Sequence, residues 1–433
     1  MSILEQFNAT GQAAQLRASR ARSRALTRDI HGERLFGPRL SIVNPVLWEL
    51  GHIAWFQERW CLRRRDDGTL AASVLAGADT LYDSTEIAHD LRWDLPLPTL
   101  EATLAYQDRV LDLVQERLQR NSDNPSLAYF VQLAMFHEDM HAEAFHYLRQ
   151  TLVYSVPQLP PQDADRPAVG SGGAEGDALI PGGRYLLGAH RESGFVFDNE
   201  KWEHPVEIRS FLIARCSVSN MQYAGFVEEG GYLRREFWSE AGWSWLQQTG
   251  AQAPHYWRKH DGWWQQRRFD AWAPLPLREP VIHVNWHEAQ AYCRFAGRRL
   301  PSEAEWETAA ACSGTRAKHR YPWGDAVPDA RRANLEGNFP VAVDALPAGA
   351  NAQGCRQLIG NVWEWTDTAL GPYPGFEPDP YKEYSQPWFG THKVLRGGSF
   401  STPARLIRST WRNFYTPERY DIFAGFRTCA IET

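Results

Sequence analysis

The sequence predicts an α+β chain, a four-helix bundle followed by an irregular strand-rich domain. Three observations carry that prediction. The first 155 residues hold four long stretches with helical spacing of apolar side chains. Residues 156–178, VPQLPPQDADRPAVGSGGAEGDA, have the Pro, Gly and Asp content of a linker. Beyond them, short strand-like runs alternate with glycine-rich turns. Most of the 19 tryptophans lie there, as suits a loop-rich domain held by large aromatic side chains. The predicted units are therefore 1–155 and 179–433, joined by 156–178.

Each element has its own signal. Segment 3–30 is rich in Ala, Leu, Arg and Gln, all good helix formers. Segment 44–63 opens with Asn44-Pro45, an N-cap followed by proline at the first helical position. Segment 98–120 opens with Pro98-Thr99 and repeats apolar residues at Leu100, Leu104, Val110, Leu111 and Val114. Segment 124–153 opens near Asn124-Pro125-Ser126. The connection 64–97 is long, and loops of that size are often functional. In the second domain, helices are expected only near 219–229 and 286–296.

Composition excludes several classes. A chain of 433 residues that is 43% hydrophobic builds two or three cores. A net charge of −6 gives no basic field for nucleic acid. No run of about 18 apolar residues predicts a membrane span. The N-terminus MSILEQFNATGQAAQ lacks the basic and apolar segments of a secretion signal, so a cytoplasmic location is expected. The six cysteines are scattered without CxxC spacing and read as reduced, buried thiols.

The stretch His137-Glu138-Asp139-Met140-His141-Ala142-Glu143 places two histidines at i and i+4 of a predicted helix. Residues so spaced project from one face, and their imidazoles can close on one metal ion. His52, in Leu50-Gly51-His52-Ile53-Ala54-Trp55-Phe56, lies on another predicted helix. Three neutral imidazoles would leave a metal with open positions, which suits chemistry rather than scaffolding. Glu138, Asp139 and Glu143 are candidates to orient a ligand imidazole. Zinc is the alternative metal, since HExxH is formally present. A metalloprotease, however, needs a third ligand downstream, and no metzincin pattern follows.

The second domain carries seven short signatures in order. They are Pro181-Gly182-Gly183, Val284-Asn285-Trp286, Arg299-Leu300-Pro301-Ser302-Glu303-Ala304-Glu305-Trp306-Glu307, Tyr321-Pro322-Trp323-Gly324, Gly360-Asn361-Val362-Trp363-Glu364-Trp365, Leu395-Arg396-Gly397-Gly398-Ser399-Phe400 and Gly425-Phe426-Arg427. Together they resemble the formylglycine-generating-enzyme fold, an elaborated C-type-lectin-like domain. A DinB-like bundle followed by this domain resembles the EgtB/SenA family of non-haem iron, hercynine-dependent synthases. The resemblance spans nearly the whole chain.

That resemblance implies iron(II) held by His52, His137 and His141, with O2 as co-substrate. It implies joining a donor to the imidazole ring of hercynine (N,N,N-trimethylhistidine). A tyrosine pair of the family, one of which gives a proton, matches Tyr381 first and Tyr384 second. A family segment of the form Asn-Trp-Asp-x-Pro-x-Arg, which contacts substrates, matches Asn413-Phe414-Tyr415-Thr416-Pro417-Glu418-Arg419. Phe414 keeps an aromatic face for the trimethylammonium. Tyr415 loses the carboxylate that would pair with a donor amine. Met140 stands where the family has a glutamine, and a thioether donates no hydrogen bond.

With these departures, the form HEDMHAEAF resembles most the SenA branch, the selenoneine synthases. That branch implies a selenosugar donor; the EgtB alternative implies a thiol. Tyr82, Asp83, His89 and Arg92 of the long connection are expected to help hold the donor. Two other classes stay open. A formylglycine-generating activity would need a close pair of reactive cysteines, and Cys355 and Cys429 sit in no such motif. A non-catalytic binding module would leave the histidines without metal.

Overall fold

The two longest helices of the N-terminal half start where a side chain accepts from one of their first unpaired amides. In the computed structural model, which describes residues 9–65, 67–159, 174–312 and 318–431, α1 spans Ala9–Thr27, α2 Val46–Glu58 and α3 Ala78–Tyr82. The longer α4 (Leu100–Arg120) is capped by Thr99, whose side chain accepts from the Ala102 amide. Asn124 does the same for the Leu127 amide at the start of α5, Pro125–Thr151. Residues 3–8 of the first predicted helix lie outside the described residues.

The start of α2 differs from expectation. Asn44 does not cap it; its Oδ1 accepts from Arg92 Nη1 at 2.7 Å, and Pro45 occupies the cap position. Every residue of α2 is buried, which marks a central helix rather than an amphipathic one. It packs on α4 and α5, while α1 lies along α5. Leu26, Val46, Leu47, Leu50, Phe145 and Leu148 share one core. At its C-terminal end α2 widens into a π turn over Arg59–Arg63.

Among its described residues the long connection is structured. It carries α3 and a 3-10 turn at His89–Trp93, and buried polar contacts tie it to α2. Trp48 Nε1 donates to the Leu81 carbonyl at 2.8 Å, and Trp55 Nε1 to Asp79 at 2.7 Å.

From residue 174 on, the chain has other helices: α6 (Asn220–Glu228), α7 (Glu240–Thr249), α8 (Trp286–Phe295) and α9 (Glu303–Ala311). The expectation of two helices is thus corrected to four among the described residues. α9 was hidden inside a signature: Ser302 and Glu305 form a capping box. α7 is short, capped by Ser239, and stopped by Gly250 in the left-handed region.

Strands are β1 (Asp177–Ile180), β2 (Gly183–Leu187), β3 (His204–Ile208), β4 (Phe211–Ala214), β5 (Trp257–His260), β6 (Trp263–Arg268) and β7 (Ala271–Pro274). They continue with β8 (Arg298–Arg299), β9 (Trp363–Ala369), β10 (Lys393–Arg396), β11 (Asn413–Tyr415), β12 (Ala424–Gly425) and β13 (Cys429–Ala430). They form sheets of order β1-β4-β13-β8, β11-β10-β9-β12, β5-β6-β7 and a β2-β3 pair.

Buried ion pairs wire the sequence signatures of this half to one another. Arg396 of β10 reaches Glu303 at 2.8 Å and also bonds Glu307, both on α9. Arg412 forks onto Glu303 at 2.7 and 3.0 Å. Arg427 forks onto Glu364 of β9 at 2.6 and 2.7 Å, and Trp306 Nε1 joins the same carboxylate at 2.7 Å. Gly397, next to Arg396, has φ +98, and a Cβ there would sit 2.5 Å from the Leu358 carbonyl oxygen.

The two compact units are Met1–Leu159 and Pro160–Thr433. No described helix is long and apolar enough to cross a membrane.

Candidate metal centre

His52 is presented by α2, and His137 and His141 by one face of α5. Their candidate ligand nitrogens all lie within 4.8 Å of one another. Ring centroids are 5.1 Å apart for His52–His137 and His52–His141, and 4.5 Å for His137–His141. Among the described residues, no other group of three or more His, Cys, Asp or Glu side chains converges in this way.

Two of the rings are oriented by hydrogen bonds at Nδ1. His52 Nδ1 meets the Tyr82 carbonyl at 2.8 Å. A carbonyl only accepts, so Nδ1 carries the proton and Nε2 the lone pair. His141 Nδ1 meets Glu49 Oε1 at 2.8 Å, which selects the same tautomer. Aromatic faces hold the other degrees of freedom. Phe56 stacks on His137 at 3.6 Å and 4°, and Trp48 on His52 at 4.7 Å and 12°.

Burial holds His52 and His137 well below the usual imidazole range, and the neighbouring His141 pushes each further down. Both rings are therefore neutral at physiological pH, which is the form that binds a metal. The donor set fits a divalent transition metal: three neutral imidazoles converging from two helices, with no fourth protein ligand in the group.

Gly51 is a further part of this geometry. A Cβ at Gly51 would lie 2.2 Å from the Tyr82 ring. The missing side chain lets that ring press against α2, one residue from His52, where the Tyr82 carbonyl reaches the imidazole. Tyr82 is wholly buried, so it acts on the site through its backbone while its ring fills the core.

The other expected residues fall as follows. Arg92 stacks over Trp48 at 4.1 Å and bonds Asn44. Asp83 accepts from Thr85, and His89 bonds the Val43 carbonyl. Met140 is half-buried on α5 between His137 and His141. Glu138 pairs with Arg20 at 2.7 Å and Asp139 accepts from Ser19 at 2.7 Å, tying α5 to α1. Glu143 is buried on α5.

Glu49 and Gly51 were missed from the sequence. The signal was present: Glu49 is an acid three residues before His52 in an otherwise apolar helix start, and such an acid is rarely buried without a partner.

In the second unit, Tyr384 sits among aromatic rings. Phe197 stacks on it at 4.1 Å, Phe414 meets it edge-on at 5.8 Å, and Trp411 Nε1 donates to its Oη at 3.3 Å. Burial pushes its phenol far above the usual range, so Oη keeps its proton. Tyr381 lies 6.3 Å from Tyr384, ring to ring. Asn413, Phe414 and Tyr415 form β11, paired to β10 with Phe414 opposite Val394. Alternation along the strand puts Phe414 on one face and Asn413 and Tyr415 on the other. Arg419 forks onto the buried Asp421 at 2.6 and 2.8 Å, and its guanidinium lies 5.0 Å from the Tyr415 ring. Structure thus groups Tyr384 with Phe414, and Tyr415 with Arg419.

The cysteines are free thiols. Burial pushes Cys216 and Cys312 up to about 11 and Cys429 to about 12, and raises Cys355 as well. None of these four is an activated thiolate at neutral pH.

Residues 15–145 match the DinB superfamily, and residues 167–432 match the sulfatase-modifying factor enzyme 1-like domain. The hercynine oxygenase of Mycolicibacterium thermoresistibile is 38% identical over 403 residues, covering 89% of this chain and 87% of its own. That of Mycobacterium tuberculosis is 36% identical over 420 residues, covering 96% and 97%. A formylglycine-generating enzyme of Thermomonospora curvata is 32% identical over 321 residues, covering 64% of this chain and 97% of its own.

Proposed function

Because this chain belongs to the two-domain family of the hercynine oxygenases, we propose that it is an iron(II)- and O2-dependent oxidoreductase acting on hercynine. The reaction class is oxidative bond formation between the hercynine imidazole carbon and a chalcogen donor. With a thiol, the balance is hercynine C–H plus R–S–H plus O2, giving the C–S-linked sulfoxide and water. The relatives favour this thiol reading over a selenosugar donor, since the names they carry are those of hercynine oxygenases.

The observation that carries the proposal is the convergence of His52, His137 and His141. Iron(II) bound there supplies O2 activation at the positions the imidazoles leave open. The chain's own residues do the rest. The Tyr82 carbonyl and Glu49 hold the ligand tautomers. Aromatic faces such as Phe414 receive the trimethylammonium of hercynine. Tyr384 and Tyr381 hold the phenolic protons required as O2 is reduced. Oxygen uptake tests this: it should depend on iron and hercynine together, with a thiol or selenol present. Uptake that ignores hercynine would overturn it.

A selenosugar donor is the second reading, and three residues favour it. Tyr415 offers no carboxylate to a donor amine. Arg419 is already forked onto Asp421, which lessens its pull on a donor carboxylate. Met140 offers soft sulfur rather than an amide. Competition among γ-glutamylcysteine, cysteine, thioglucose and selenoglucose, read by product mass, decides between donors. Predominance of sugar conjugates supports the second reading; predominance of peptide thiol conjugates removes it.

A further inference from the structure

The two oriented ligands are held by acceptors of different kind. His52 gives its Nδ1 proton to a neutral carbonyl, while His141 gives its own to a carboxylate. That carboxylate, Glu49, is 2% exposed on α2, in a helix buried along its whole length. Removing a carboxylate from water costs several kcal/mol unless a charge or a full set of donors compensates. The compensation here is incomplete. Oε1 receives the His141 proton, but Oε2 has no hydrogen-bond partner among the described residues. His141 supplies one donor, and the Arg92 guanidinium acts on the same carboxylate through space without bonding Oε2. A divalent cation on the far nitrogen of the His141 ring would add positive charge, two bonds beyond the nitrogen Glu49 touches.

We propose that Glu49 is a positioning residue of the metal centre: it locks His141 with Nε2 toward the ion and provides the buried negative charge that a divalent cation there requires. The proposal rests on reading the three histidines as a metal site. It separates the two states of the protein. Without metal, Glu49 is a buried carboxylate with one oxygen unpartnered among the described residues. With metal, the same charge strengthens the ligand and offsets the cation. Removing the charge should weaken metal binding without a matching loss of metal-free stability, which a purely structural role does not do.

The experiment is anaerobic titration with Co(II), in competition with a chelator, on wild type, Glu49→Gln, Glu49→Ala and His141→Ala. Each variant is also melted without metal. Glu49→Gln, which keeps an acceptor for Nδ1 but no charge, should bind about 10-fold more weakly, and Glu49→Ala about 100-fold. The metal-free melting temperature of Glu49→Gln should hold or rise. Affinity within about twofold of wild type in Glu49→Gln would overturn the proposal. So would a loss of affinity matched by lost metal-free stability, since that is a folding defect. Failure of the underlying site looks different: wild type itself would then bind Co(II) no better than His141→Ala.

Discussion

Both halves of this chain bury ionisable groups, and they do so in opposite ways. In the second unit several buried charges meet their complements: Arg396 and Arg412 reach Glu303, and Arg427 reaches Glu364. These forks are closed sets that pin one loop to another, and nothing in them points outward for a ligand. In the bundle, His52, His137 and His141 face one another instead, and His141 lowers the proton affinity of both His52 and His137. Three lone pairs converging without an acid among them form an open set. Buried polarity alone therefore does not mark a site; incomplete pairing does.

The comparison breaks first at the histidines. His141→Ala should abolish metal retention and hercynine-dependent oxygen uptake while the bundle stays folded, since two imidazoles hold a divalent ion poorly. Full activity in that variant would remove His141 from the site.

The closed sets should respond in stability rather than chemistry. Glu364→Ala strands Arg427 and the Trp306 indole, and should cost about 3–5 kcal/mol, read by denaturant unfolding. A cost near zero would mean that the forks do not hold the loops.

Gly51→Ala lies between the two cases, because it alters packing and site together. A Cβ at this position meets the Tyr82 ring, so the variant should lose about 1–3 kcal/mol and also weaken metal binding, as the Tyr82 carbonyl leaves His52. Loss of stability with unchanged metal affinity would show that the carbonyl does not matter.

The smallest effect is a pH dependence in the second unit. Burial raises Glu288 from 4.5 to about 7, although the Tyr232 hydroxyl and the Asn285 amide pull it down. A carboxyl raised on folding is protonated more readily in the folded chain than in the unfolded one. Its stability cost is absent below the unfolded value, grows as pH rises from 4.5 to about 7, and is constant above that. Glu288→Gln keeps an oxygen to accept from the Asn285 amide and offers its NH2 to the Tyr232 oxygen, and it should melt higher than wild type at pH 8 but equally at pH 4. A pH-independent difference would contradict this.

Much of the fold was legible because its signals are local. Thr99 and Asn124 announce the helices they cap, and His137 and His141 sit four apart on one of them. The Glu49–His141 bond joins residues 92 apart, and no spacing rule reaches that far. Glu138 and Asp139 follow His137 in sequence, but successive residues on a helix point to different faces, and their bonds to Arg20 and Ser19 join residues 118 and 120 apart. The signatures of the second domain were recognised as markers, and their physical role emerged only once Glu303 met Arg396 and Arg412 and Glu364 met Arg427. Two helices there were missed because short, well-capped helices carry little apolar periodicity.

X-ray absorption of the anaerobic iron(II)-loaded protein tests the central claim most directly. One iron per chain with three imidazole nitrogens near 2 Å, falling to two in His52→Ala, is the predicted result. Iron bound without imidazole scattering, or unchanged by that substitution, would contradict it.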